Sequence, residues 1–192
     1  MAGEPRVTRV LLARHGRTAL NADDRLRGLA DPPLDPTGRD QAAGLADALR
    51  AAFGADAVAA VHASPLLRAQ ETARVIAGRF GVGPVVIDAG FSDRDYGEWT
   101  GQPRAEVVAR FGSVDAAPGV QPADEVVARA RAALDAVADA HPGQTVVVVS
   151  HDAVIRPLVE VLDRAGREFE LPPASWCELV RTGGEWVVVS VP

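Results

Sequence analysis

A cation and an imidazole stand side by side at Arg14-His15, directly after the apolar run Val10-Leu11-Leu12-Ala13 and directly before Gly16. A guanidinium can fork onto two phosphate oxygens, and a neutral imidazole can attack phosphorus. A glycine lets the backbone approach a bound anion closely. So short an apolar run reads as a buried parallel strand. The pair therefore leaves the carboxyl end of a strand, which is where open α/β sheets bind ligands. Phosphoryl transfer is the chemistry this pairing suits. Taken alone, the same residues also describe a strand end followed by a polar turn.

Three further stretches carry chemistry in the same order along the chain. They are Ser64-Pro65-Leu66-Leu67-Arg68-Ala69-Gln70-Glu71-Thr72-Ala73, Asp93-Arg94-Asp95-Tyr96-Gly97-Glu98-Trp99-Thr100-Gly101 and Val146-Val147-Val148-Val149-Ser150-His151-Asp152. With all four present, the chain from about residue 7 to about residue 162 resembles the histidine phosphatase superfamily, also called phosphoglycerate-mutase-like. The resemblance implies His15 as nucleophile, with Arg14, Arg68 and His151 on the phosphate oxygens. It places Thr18 and Asn21 as neutral hydrogen-bonding groups around the same anion, and Gly28, Tyr96 and Arg104 among the substrate-binding residues. For Arg104, substrate contact and an ordinary helix charge both stand open.

Several residues depart from the family pattern. Asp93 occupies the position where the proton donor is usually Glu, and Asp95 and Glu98 are the competing carboxylates in that loop. Arg27 stands where Gln is usual, Val120-Gln121-Pro122 replaces a Gly-Glu-Ser segment, and Asp152 replaces a Gly. The expected reaction is two in-line transfers: neutral His15 takes the phosphoryl group, a protonated His151 shares its charge, and Asp93 gives and then recovers a proton. Asp93 is expected to be held protonated by burial and by the nearby phosphate. No metal and no cofactor are expected. The reading is a metal-independent phosphatase of a small phosphomonoester. The alternatives are a phosphoglycerate-type mutase and a catalytically silent phosphate-recognising module.

The elements that must position these residues alternate between strand and helix patterns, which points to an α/β fold. Val58–Ala63 and Pro84–Ile87 read as further strands, and Thr145–Val149 as a buried one. The stretches 37–53, 66–80 and 123–140 read as amphipathic helices. Pro65 is expected as the first residue of the helix carrying Arg68, and Pro157 is expected to delay or kink the helix after His151. Trp176–Arg181 and Trp186–Val191 read as a C-terminal hairpin. The resemblance adds the strand order and a small cap, giving a three-layer αβα sandwich with a mostly parallel sheet. The cap, at about 88–123, lies over the C-terminal strand ends. The whole chain, 1–192, is expected to be one domain.

Composition narrows the partners. With 20 basic against 26 acidic residues and a net charge of −6, no basic excess exists to neutralise a nucleic-acid backbone. One cysteine, Cys177, allows no intrachain disulfide. The stretch Met1–Arg9 lacks the apolar run of a signal peptide, and no run approaches the roughly 18 apolar residues needed to span a bilayer. The chain reads as cytoplasmic, with a small phosphomonoester as its partner, neither nucleic acid nor membrane, and a homodimer left open.

Overall fold

The computed structural model describes residues 6–192; the first five residues of the stretch read as lacking a signal peptide lie outside the described residues. Six strands form one mixed sheet in the order β3-β2-β4-β1-β5-β6. They are β1 (Thr8–Arg14), β2 (Val58–Ala63), β3 (Val86–Ile87), β4 (Thr145–Ser150), β5 (Trp176–Thr182) and β6 (Glu185–Ser190). Only β5 runs against the others, pairing antiparallel with both β1 and β6. The β5–β6 hairpin extends the sheet as its sequence pattern predicts, whereas the third strand shrinks to two exposed residues at the opposite edge.

Side-chain alternation in the two central strands creates the layers. Leu11 and Ala13 of β1 and Val147 and Val149 of β4 point to one face, and Val10, Leu12, Val146 and Val148 to the other, all fully buried. Burial on both faces is why these strands read as unbroken apolar runs, each Val or Leu contributing about 1.5–3 kcal/mol. On the first face lie α2 (Pro36–Phe53) and α3 (Leu67–Phe80), packing through Leu45, Leu49, Ala69, Ala73 and Ile76. On the second lie α5 (Ala123–Ala140) and α6 (Asp152–Leu162), packing through Ala130, Leu134, Ile155 and Leu158. Two shorter helices, α1 (Ala19–Ala22) and α4 (Arg104–Phe111), sit outside these layers.

One proline expectation needs correction, and another is narrowed. Pro65 does not begin α3: the helix starts at Leu67 with Leu66 as its N-cap, and it is Pro36 that occupies the first helical position, in α2. Nor does Pro157 delay α6, which starts at Asp152 immediately after His151 and runs through the proline. The segment 88–123 builds a small apolar cluster of its own, Tyr96, Val107, Val114 and Ala117 with Leu26. Arg94 fastens this cap by bonding the Gln121 carbonyl (2.6 Å) and pairing with Asp115 (2.5 Å). Among the described residues no helix is long and apolar enough to cross a membrane.

Candidate active site

Three neighbouring strands deliver the central side chains at one edge of the sheet. The hydrogen-bond ladder runs one residue past β1 and past β2: His15 N–H donates to Ser150 C=O (3.1 Å) and Ser64 N–H to Val149 C=O (3.0 Å). His15, Ser64 and His151 thus leave β1, β2 and β4 side by side. The rings of His15 and His151 lie 5.1 Å apart, both buried. Arg68, in the first turn of α3, reaches in from the first face with no exposed surface.

The His15 tautomer is set by its backbone. Nδ1 lies 2.6 Å from the Gly16 carbonyl, which can only accept, so Nδ1 carries the proton and Nε2 keeps its lone pair. That lone pair accepts from Arg68 Nε at 3.3 Å. Burial, with His151 and Arg68 alongside, pushes the imidazole well below its usual range, so His15 is neutral.

Arg68 is held on every side. Nη1 donates to Ala30 C=O (2.7 Å), and Nη2 to Gly28 C=O (2.9 Å) and to Asp93 Oδ2 (2.8 Å). Asp93 is therefore the counter-ion of Arg68. Its Oδ1 accepts from Arg94 N–H (2.8 Å), and its carbonyl accepts from Arg129 Nη2 (2.9 Å). Arg129 also bonds Gly90 C=O (2.8 Å), so α5 fixes the backbone on both sides of Ser92. Of the competing carboxylates, Asp95 caps Gly97 N–H at the protein surface and Glu98 is exposed.

The charge on His151 is governed by its burial and by the cations around it. Burial and the guanidiniums of Arg68, Arg27, Arg129 and Arg14 hold its imidazole well below the usual range, leaving it neutral. Its Nδ1 lies buried without a hydrogen-bond partner, 3.5 Å from Asp93 Oδ2. Of the four other buried, unpartnered side-chain nitrogens among the described residues, His62 Nδ1 and Arg181 Nε lie elsewhere, whereas Arg14 Nε and Arg27 Nε belong to cations acting on His151. Arg14 is otherwise tied to the Leu171 carbonyl, and burial lowers its guanidinium to about 10 against the raising influence of Asp152. Buried donors left unpaired are costly and rare. Those of Arg14, Arg27 and His151 belong to side chains grouped by charge about one centre, the arrangement an anion would satisfy.

Other residues singled out in the sequence take different parts. Thr18 and Asn21 form a capping box on α1, Asn21 Oδ1 accepting from both Thr18 N–H (3.1 Å) and Thr18 Oγ1 (2.9 Å). Gly28 acts through its carbonyl on Arg68; at its φ of +49°, a Cβ would also meet the Tyr96 ring at 3.0 Å. Gly16 is required by the backbone of α2, since a Cβ there would run into the Gly38 carbonyl oxygen. Asp152 pairs with Arg156 of its own helix (2.9 Å).

Two cavities flank the centre, and His15 borders neither. One, of about 540 Å³, is lined by Leu29, Ser92, Asp93, Asp95, Gln121 and Arg129. The other, of about 310 Å³, is lined by Arg94, Tyr96, Arg104, Asp152 and Arg156. Tyr96 is buried, and burial next to Asp93 raises its phenol to about 12, so it remains a neutral hydroxyl. Arg104 is exposed at this rim, 4.0 Å from Asp24. Sequence reading missed two arginines. Arg27 was visible only as a departure from the family pattern, and Arg129, on the flank of an amphipathic helix, gave no signal at all.

A neutral imidazole thus faces a buried guanidinium at the carboxyl ends of parallel strands. The chain belongs to the histidine phosphatase superfamily (branch 1), whose family model matches residues 10–192. It is 33% identical over 172 residues to phosphoglycerate mutase-like protein 4 of Arabidopsis thaliana, covering 84% of this chain and 74% of that protein. It is 31% identical over 164 residues to the uncharacterized phosphatase PhoE of Bacillus subtilis, covering 85% and 82%. The phosphoglycerate mutase of Bacillus anthracis shares the fold, with a TM-score of 0.85 at 23% identity, covering 98% of this chain and 94% of that one.

Proposed function

We propose that this protein is a phosphatase of a small phosphomonoester, acting through a phosphohistidine on His15. One observation carries the reading: the lone pair of a neutral, fully buried His15 Nε2 is aimed at Arg68, in a site that leaves the donors Arg14 Nε, Arg27 Nε and His151 Nδ1 unpaired. Similarity to a protein named as a phosphatase supports hydrolysis.

In the first step the substrate phosphate displaces Asp93 as the counter-ion of Arg68, and a substrate entering as its monoanion brings the proton that Asp93 then holds. Nε2 of His15 attacks phosphorus in line, and the bond from phosphorus to the ester oxygen breaks. The leaving alkoxide takes its proton from Asp93, while Arg14, Arg27 and Arg68 stabilise the charge spread over the equatorial oxygens. In the second step water gives a proton to Asp93 and attacks phosphorus, the bond from phosphorus to nitrogen breaks, and neutral His15 returns; the proton on Asp93 then leaves with the phosphate as its monoanion, restoring the pair with Arg68.

Similarity to a mutase-like protein keeps a second outcome in view, in which the phosphoryl group returns to an organic hydroxyl instead of water. Release of inorganic phosphate from a panel of phosphomonoesters, in the presence of EDTA, tests the proposal. Hydrolysis is the expected result. Transfer between positions of phosphoglycerate in the presence of a bisphosphoglycerate primer, without phosphate release, would replace it by the mutase. Neither activity would leave a silent phosphate-recognising module.

A further inference from the structure

The geometry points to Ser64 as a positioning residue that fixes the His151 tautomer, so that His151 presents Nδ1–H, not a lone pair, to the reacting phosphate. Ser64 Oγ lies 2.8 Å from His151 Nε2, and neither residue has more than 1% of its surface exposed. A serine hydroxyl has one hydrogen and two lone pairs. One lone pair is taken by Leu66 N–H at 3.2 Å. Leu66 is the N-cap of α3, and its own N–H is satisfied by Ser64. The hydroxyl hydrogen then needs an acceptor. Among the described residues the only other hydrogen-bond partner of Ser64 Oγ is His151 Nε2. Ser64 therefore donates, Nε2 accepts, and the single proton of the neutral ring sits on Nδ1.

The other side of the ring gives the same answer independently. Nδ1 faces Asp93 Oδ2 across 3.5 Å. That separation is too long and ill-aligned for a hydrogen bond, yet an N–H near a carboxylate oxygen is attracted to it, whereas a lone pair in that place would be repelled. The two imidazoles of the centre thus carry their proton on the same nitrogen yet turn opposite atoms inward. His15 spends Nδ1–H on the Gly16 carbonyl and offers the Nε2 lone pair to phosphorus; His151 has Nε2 occupied by Ser64 and offers Nδ1–H to an oxygen. One ring is the nucleophile and the other is a donor.

The tautomer itself belongs to the resting protein; its use as a donor to phosphate rests on the proposed phosphatase reading. Long-range ¹H–¹⁵N spectra of the histidine-labelled wild-type chain, without substrate, distinguish Nδ1–H from Nε2–H for each ring. The His151 resonances are assigned by their loss in His151→Gln. Nδ1–H is expected in the wild type. A shift of population to Nε2–H is expected in Ser64→Ala, a small buried substitution, with the Nδ1–H form regained in Ser64→Thr. The affinity for inorganic phosphate should fall on the order of tenfold in Ser64→Ala, as for the loss of a hydrogen bond to a charged group. Nε2–H in the wild type, or an unchanged Nδ1–H in Ser64→Ala, would overturn the assignment whether or not the protein turns over a substrate. The expected spectra in a protein without phosphatase activity would instead overturn only the phosphatase reading.

Discussion

Replacing Asp93 by Asn separates the chemical role of this carboxyl from its structural one. The substitution keeps the volume and keeps an oxygen for Arg94 N–H, now 2.8 Å away, but it removes the charge facing Arg68 at 2.8 Å. Breaking a buried ion pair costs about 3–5 kcal/mol, and the amide oxygen of Asn can still accept from Arg68, so the net loss of stability should be about 1–3 kcal/mol. That loss acts on every substrate alike. Loss of a general acid does not: it slows cleavage of an alkyl ester by about 10²–10⁴, and it spares a nitrophenolate, which leaves without a proton. Single-turnover kinetics should show formation of the phosphoenzyme slowed at least about a hundredfold with a sugar or glycerol phosphate and less than about threefold with p-nitrophenyl phosphate. Breakdown of the phosphoenzyme should slow with both, because the water still needs its base. Equal slowing of formation with the two substrates would refute the reasoning. If Asp95→Asn or Glu98→Gln then showed the leaving-group dependence, the acid would be that residue.

Arg27→Gln should lower kcat/KM about 10- to 100-fold if its unpartnered Nε binds the anion, the range for a hydrogen bond to a charged group, and an unchanged kcat/KM would return Arg27 to the surface. Gly16→Ala should destabilise the fold measurably in urea titration, since the Cβ has no room against the Gly38 backbone, and wild-type stability would show that α2 can yield. Burial holds the imidazoles of His15, His62 and His151 below their usual range, so the unfolded chain binds protons that the native one does not as pH falls below about 6.5. Their stabilisation is complete above that pH and is lost progressively below it, by up to about 1.4 kcal/mol per pH unit for each histidine. Urea midpoints at pH 7, 6 and 5 should therefore decline, and a flat profile would mean these rings are charged in the folded protein.

The sheet and its two helical layers were legible because their signals are local and strong. Val146–Val149 and Val10–Ala13 can hardly be anything but buried strands, and the strand ends advertise His15 and His151 by residue type. The site was legible as far as its members carry motif positions: His15, Arg68, Asp93 and His151 are brought together by strands and helices that the sequence announces. What could not be read depends on long-range geometry. Nothing in the sequence says that Gly16 is crowded by the backbone of Gly38, or that Arg129 of α5 reaches the Asp93 carbonyl. The charge state of His151 depends on how many arginines surround it, which no local pattern encodes. The Thr18–Asn21 capping box was open to recognition from the spacing alone, since a hydroxyl followed three residues later by a polar side chain is a helix-start pattern.

The most direct test of the phosphohistidine on His15 is rapid quenching during turnover of a ³²P-labelled monoester. The wild-type protein should accumulate an acid-labile, alkali-stable phosphoprotein, with the label on Nε2 of His15 and absent from His15→Ala. Full turnover with no phosphoprotein at any time, or label that persists in His15→Ala, would contradict it.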